Sequence, residues 1–203
     1  MAVYHYSFGN GNGLWFTSDL HLGHENIIKY CHRPFETIDE MDEKIIENWN
    51  SVVHKNDTVF ILGDVGFGLS NLIPKLKELK GKKILLPGNH DREFLGNEEF
   101  KSLFEAIHEQ LYIKVGRNSI YLNHFPFLCF DGAWHGEKAT WQLFGHVHSR
   151  PGSLGMDVNR LSVLFPTQYD VGVDNNNFTP VSFNQVKQII TDQQQSLNLI
   201  REC

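Results

Sequence analysis

Two histidines one residue apart, His146 and His148, close a set of five short polar clusters between residues 19 and 148. The others are Asp19-Leu-His21, Gly63-Asp64, Gly88-Asn89-His90-Asp91 and Asn123-His124. Carboxylate, imidazole and amide side chains together make a mixed oxygen and nitrogen ligand set, which suits Mn²⁺, Fe or Zn²⁺. The carboxylates are too few for a calcium cage, and the thiolates too few for a structural zinc site. One carboxylate shared between two ions is the simplest way to hold them roughly 3.5–4 Å apart. Asp64 is the best candidate for that bridge, being alone in its cluster and central in the chain.

Each cluster directly follows an apolar, β-prone run. Leu14 to Ser18 precedes the first, Thr58 to Leu62 the second and Lys83 to Pro87 the third; Ser119 to Leu122 and Trp141 to Phe144 precede the last two. Ligands in open α/β sheets gather outside the carboxyl ends of strands. Five such ends carrying Asp, His and Asn are therefore expected to converge on one pocket.

The segments between them have helix and turn chemistry. Residues 3 to 18, with Gly9-Asn-Gly-Asn-Gly13 at the centre, read as a hairpin feeding the first cluster. Thr37-Ile-Asp-Glu40 is a capping box, and the following apolar positions Ile38, Met41, Ile45, Trp49 and Val52 have helical spacing. Ser70 is expected to cap a helix ended by Gly81, and Asn97 a shorter one. Residues 111–115 and 119–123 read as a hairpin, residues 125–138 as a loop near the site, and residues 149–168 as irregular. A strand over residues 169–173 and a second capping box at Ser182-Phe-Asn-Gln185 complete the chain. The last helix is expected to run through about Ile190, with a polar tail that frays. This alternation predicts an α/β sandwich, with two sheets or one mixed sheet covered by helices.

A chain of 203 residues reads as one domain, 1–203, able to bury a sizeable core. Its net charge of −6 argues against binding to duplex DNA, where Lys and Arg must neutralise phosphates. A small phosphorylated substrate stays compatible, because bound metal ions supply local positive charge. Cys31, Cys129 and Cys203 are far apart and form no Cys-x-x-Cys, so they read as free thiols in a reducing cytoplasm. No run is long and apolar enough for a membrane span, and the start has no secretory pattern. The oligomeric state stays open, a homodimer included.

In their order and content, Asp19-x-His21, Gly63-Asp64, Gly88-Asn89-His90-Asp91, His124 and Gly145-His146-x-His148 resemble the calcineurin-like metallophosphoesterase superfamily. The resemblance implies a four-layer αββα sandwich and a phosphoric ester hydrolase using two divalent ions, Mn²⁺ first, with Fe, Zn²⁺ or Ni²⁺ as alternatives. It implies that Asp19, His21, Asp64 and His148 hold one ion, and that Asp64, Asn89, His124 and His146 hold the other. A bridging hydroxide would then attack phosphorus in line, and His90 would protonate the leaving oxygen. An imidazole suits that task because it titrates near neutrality. Asp91 has two readings, a partner that orients a histidine or a local turn-former.

The chain departs from the protein Ser/Thr phosphatases of that superfamily. They continue past the bridging Asp with a further Asp and Arg, whereas here Val65-Gly-Phe-Gly68 follows. The chain looks more like the small prokaryotic and phage phosphodiesterases. Three further residues are candidates for binding substrate. His24 either touches phosphate or packs locally; Arg33 and Arg150 either clamp a phosphate or are ordinary surface charges. Phe125, Phe127, Phe130 and Trp134 either stack a nucleobase or belong to the core. The expected function is hydrolysis of a small, nucleotide-like phosphodiester. The alternatives are a phosphomonoesterase on the same site and a non-catalytic scaffold of the same fold.

Overall fold

The computed structural model describes residues 4–134, 138–149 and 162–201, with side chains up to residue 196. Arg150 and Cys203 lie outside the described residues. The strands are β1 (Tyr4–Phe8), β2 (Leu14–Thr17), β3 (Thr58–Ile61), β4 (Lys82–Leu85), β5 (Ala106–Ile107), β6 (Leu111–Val115), β7 (Asn118–Leu122), β8 (Trp141–Phe144), β9 (Gln168–Asp170) and β10 (Val181–Ser182). The α-helices are α1 (Glu25–Tyr30), α2 (Ile38–Val52), α3 (Leu69–Glu78), α4 (Glu98–Lys101) and α5 (Phe183–Arg201).

Among the described residues these strands form two five-stranded sheets, ordered β10-β2-β3-β4-β5 and β1-β6-β7-β8-β9. The first has apolar side chains on both faces, as expected of strands covered on both sides. Leu14, Phe16, Phe60, Leu62, Ile84 and Leu86 face the second sheet. Val59, Ile61 and Leu85 face the opposite way, into a cluster with Met41, Ile45 and Trp49 of α2 and Leu72 and Leu76 of α3. The second sheet returns Leu111, Ile113, Ile120, Leu122 and Leu143 to the shared core. On its other face the loop after β7 lies over Tyr121, whose ring is 6.1 Å from Phe127 and 6.0 Å from Phe130. α5 closes the edge where β9 and β10 lie, feeding Phe183, Val186 and Ile190 into the core between the sheets. The expected α/β sandwich is the architecture observed.

Local signals decide several boundaries. Thr37 Oγ1 accepts the Glu40 N–H at 3.2 Å and starts α2, a cap that contributes about 1 kcal/mol. Asn97 accepts from Phe100 N–H at 2.9 Å and starts α4. Ser182 and Gln185 form the reciprocal box that opens α5. The 111–123 hairpin is also present, β6 pairing antiparallel with β7.

Other expectations are corrected. Residues 3–18 do not form a hairpin. β1 pairs parallel with β6 in one sheet, and β2 pairs with β3 and β10 in the other, so the glycine-rich segment is a crossover. Tyr6 and Phe8 pack against the core between the sheets, and that burial decides β1's partner. Ser70 lies inside α3, whose N-cap is Gly68 with φ +68° and no side-chain bond. α5 continues beyond Ile190 although its apolar spacing fades. Gln188 bonds Asp192 at 2.8 Å, and Gln193 donates to the carbonyls of Pro166 and Gln168.

Candidate metal centre

β2, β3 and β4 run parallel, as do β7, β8 and β9, so six carboxyl ends can meet. Backbone bonds lock the turns that follow them. Asp19 N–H donates to the Gly63 carbonyl at 3.0 Å, His21 N–H to the Asp64 carbonyl at 3.0 Å, and Val173 N–H to the Ser18 carbonyl at 3.0 Å. These turns are sharp. Asp19, His21, Asp64, His146 and His148 all have positive φ, between 46° and 72°. Left-handed backbone costs a non-glycine residue roughly 1 kcal/mol or more and collects at functional sites. The glycines inside the clusters allow close approach. A Cβ on Gly145 would overlap Ser18 Oγ, and one on Gly63, at φ +94°, would lie 2.5 Å from His124 Nδ1.

The side chains form two adjoining groups. Asp19, His21 and His148 can present one ligand atom each to a common point, and so can Asp64, His124 and His146. Asp64 lies between them. Its Oδ2 is 3.7 Å from His21 Nε2 and 3.5 Å from His124 Nε2, while its Oδ1 accepts the His90 N–H at 3.0 Å. Asn89 Oδ1 lies 3.2 Å from His124 Nε2. The seven expected ligands are thus brought together, with Asp64 at the junction.

Three of these histidines share one design. Each has Nδ1 held by a neighbour and Nε2 turned towards the carboxylates. His124 Nδ1 donates to the Leu62 carbonyl at 2.7 Å. His148 Nδ1 meets Asp174 Oδ2 at 2.7 Å, and His21 Nδ1 meets His24 Nδ1 at 3.2 Å. Such partners fix ring orientation and leave the far nitrogen for a metal.

Two buried atoms test whether cations fit. Asp19 Oδ1 and His21 Nε2 have no hydrogen-bond partner although they are 4.0 Å apart. Unpaired buried polar atoms cost about 1–3 kcal/mol each, and a shared cation removes that cost. The donor set therefore fits two divalent ions. The electrostatics agree. Burial alone would lower both His124 and His148, but Asp64 and Asp19 hold His124 up to about 9, and Asp19 and Asp174 hold His148 up to about 11. Burial, reinforced by His148, pushes His21 well below its usual value. The site draws positive charge to itself.

His90 is half-buried on one side of the centre. Its ring is 4.8 Å from Phe67 and 5.6 Å from His21. At three places the structure corrects at least one of the two readings that the sequence left open. Asp91 orients no histidine; fully buried, it accepts the N–H groups of Asp64 at 2.7 Å, Val65 at 2.9 Å and Gly88 at 2.8 Å, tying two ligand turns together. Arg33 cannot clamp a phosphate. Its buried guanidinium makes a two-pronged pair with Asp174 at 2.9 and 2.8 Å and donates to the carbonyls of Asp19 and Leu20. Of the four aromatics, Phe125 alone reaches the centre, edge-on to His124 and His146 at 4.7 Å. Phe127 and Phe130 pack on Tyr121, and Trp134 on Phe165.

Asp174 and Asp170 were not read from the sequence. Asp174 links Arg33 to His148; burial opposes its charge, but Arg33 and His148 hold its carboxyl down at about 2. Buried Asp170 accepts from Ser149 N–H at 3.1 Å and Gly172 N–H at 2.7 Å. A signal was available. Asp174 directly follows the last β-prone run, the context shared by the other five clusters, whereas Asp170 lies within that run, and no histidine stands beside either.

Comparison with known proteins agrees with this geometry. The family model for calcineurin-like phosphoesterases matches residues 14–153. An uncharacterised protein of Methanocaldococcus jannaschii is 31% identical over 183 residues, covering 87% of this chain and 90% of its own. The gene 66 protein of Mycobacterium phage L5 is 30% identical over 186 residues, covering 79% and 86%. The crystal structure of a protein of unknown function from Aquifex aeolicus superposes with a TM-score of 0.64 at 23% identity, covering 87% of this chain and 98% of that one. The last likeness concerns the fold alone.

Proposed function

Because the chain belongs to the calcineurin-like phosphoesterase family, we propose that this metal-dependent phosphoesterase acts on diesters, hydrolysing a small nucleotide-like phosphodiester at a dinuclear centre. The observation that carries the reading is Asp64 Oδ2, set between His21 Nε2 and His124 Nε2. Asp19, His21, Asp64 and His148 would hold one ion, and Asp64, Asn89, His124 and His146 the second. When bound, such ions lower the pKa of a nucleophilic water and draw charge from the phosphoryl oxygens. His90 gives its proton to the departing ester oxygen. His24 positions His21 through the paired Nδ1 atoms. Mn²⁺ suits the mixed oxygen and nitrogen donors, and the exposed free thiol of Cys129 fits a reducing cytoplasm.

The preference for diesters rests on charge. With Arg33 locked to Asp174, Lys29 is the sole Lys or Arg among the described residues lining the cavity at the centre. A monoester dianion brings one more negative charge than a diester and would need a further cation to meet it. The experiment compares bis-p-nitrophenyl phosphate with p-nitrophenyl phosphate under added Mn²⁺, for the wild type and Asp64→Asn. The diester is turned over faster, and Asp64→Asn loses both metal content and activity. A monoester turned over far faster reverses the preference in favour of phosphomonoesterase action, and full activity with one ion or none per chain removes the dinuclear centre.

A further inference from the structure

A cavity of about 900 Å³ opens from the centre towards α1. That lies in the range of roughly 300–1,000 Å³ which holds a drug-sized ligand, well beyond what a phosphoryl group fills. Asp64, Asn89 and His146 of the centre line it together with the apolar side chains of Ile27, Tyr30 and Phe67. Tyr30 is 63% exposed, one of the few large apolar side chains left in water. It ends a row of rings. Tyr30 lies 6.3 Å from His24, His24 lies 4.0 Å from Phe67, and Phe67 lies 4.8 Å from His90.

We infer that this row is the subsite for the leaving alcohol, and that the alcohol is a nucleoside whose base stacks on Tyr30. The inference rests on the proposed phosphodiesterase reading, which makes His90 the donor on the leaving-group side. The row joins Tyr30 to that donor in two steps of 6.3 Å, Tyr30 to His24 and His24 to His90. A sugar between a base and a phosphate spans such a path; a one-carbon alcohol does not. Water supplies the new oxygen on phosphorus, the bond to the nucleoside oxygen breaks, and that oxygen takes the His90 proton. The products are the nucleoside and the remaining phosphate monoester, with one water consumed. Aromatic stacking holds the base without selecting among bases, so Tyr30 is assigned as a specificity residue for planar leaving groups.

The test uses two diesters with the same acid half, thymidylyl-(3′→5′)-thymidine and the methyl ester of thymidine 3′-phosphate, with added Mn²⁺. Their leaving alcohols are thymidine, with its sugar and base, and methanol, with neither; the Tyr30 variants isolate the part due to the base. The wild type is expected to show at least about tenfold higher kcat/KM on the dinucleotide, the effect of one base–aromatic stack. Tyr30→Ala should reduce that ratio by about tenfold, and Tyr30→Phe should keep it. Equal kcat/KM on both esters in the wild type, or an equal loss on both in Tyr30→Ala, overturns the subsite. Cleavage of bis-p-nitrophenyl phosphate but of neither thymidine ester also overturns it and leaves the phosphodiesterase reading intact. If none of the three is cleaved, the reaction assigned to the centre fails, and calorimetric titration with thymidine decides the subsite alone. Binding that weakens about tenfold in Tyr30→Ala and persists in Tyr30→Phe supports it; binding indifferent to both variants overturns it.

Discussion

Asp174 shows how one carboxylate serves two neighbours, holding the Arg33 guanidinium and fixing the His148 ring through Nδ1. Asp174→Asn should weaken metal binding about 10–100-fold, the usual effect of removing a ligand's hydrogen-bond partner, as measured by metal titration. It should also destabilise the fold by about 3–5 kcal/mol, because Arg33 stays buried without its counter-charge. The pH dependence follows from the Asp174 carboxyl, lowered from 3.8 to about 2. A depressed pKa adds stability that is full above the unfolded value and disappears as pH falls through the folded one. The difference between wild type and Asp174→Asn in denaturant unfolding should therefore be constant between about pH 4 and 6.5 and shrink between pH 4 and 2. His90 separates chemistry from metal binding. His90→Ala should keep both ions yet lose about 10²–10⁴-fold in rate on alkyl esters, with a smaller loss when p-nitrophenolate leaves. Equal losses on good and poor leaving groups, at full metal content, would show that His90 is not the proton donor.

Among the elements, the turns after the strands carry more consequence than the strands. Gly63 joins β3 to Asp64 at φ +94°, with no room for a Cβ beside His124. Gly63→Ala should cost about 1–3 kcal/mol in urea unfolding and weaken metal binding. Thr37→Ala, at the α2 cap, should cost about 1 kcal/mol with metal content unchanged. This contrast also marks what could be read in the sequence. Caps at Thr37, Asn97 and Ser182 were legible because each is a bond between residues three apart. So were the five strand ends, since an apolar run followed by a polar cluster is a local pattern. The partner of β1 was not, because parallel pairing with β6 depends on burial a hundred residues away. Nor was the length of α5, where polar side chains dock onto residues 166–168 in place of an apolar stripe. Arg33 looked available because a motif shows a residue's type and not the direction its side chain takes.

For the molecule as a whole, metal and proton compete for the same nitrogens. His124 and His148, held up to about 9 and about 11, must lose their protons before they can bind cations. Apparent Mn²⁺ affinity should therefore rise with pH between 6 and 8, by about tenfold per pH unit for each proton displaced, as read by calorimetry. Raised histidine pKa values stabilise the metal-free fold fully below pH 6.5, and that contribution is lost as pH rises through 9. The increase in Tm on adding Mn²⁺ to chelator-treated protein should thus be larger at pH 9 than at pH 6.5. The left-handed backbone at Asp19, His21, Asp64, His146 and His148 has a further outcome over evolutionary time. Glycine is at ease in that conformation and alanine is not, so ligand-to-glycine variants should unfold about 1 kcal/mol later than ligand-to-alanine variants in metal-free protein. A gene copy released from selection for hydrolysis would gain stability at these positions by drifting to glycine or asparagine. The relic of such a centre, in a descendant that kept the fold for another purpose, is a glycine at a strand end where a histidine used to be.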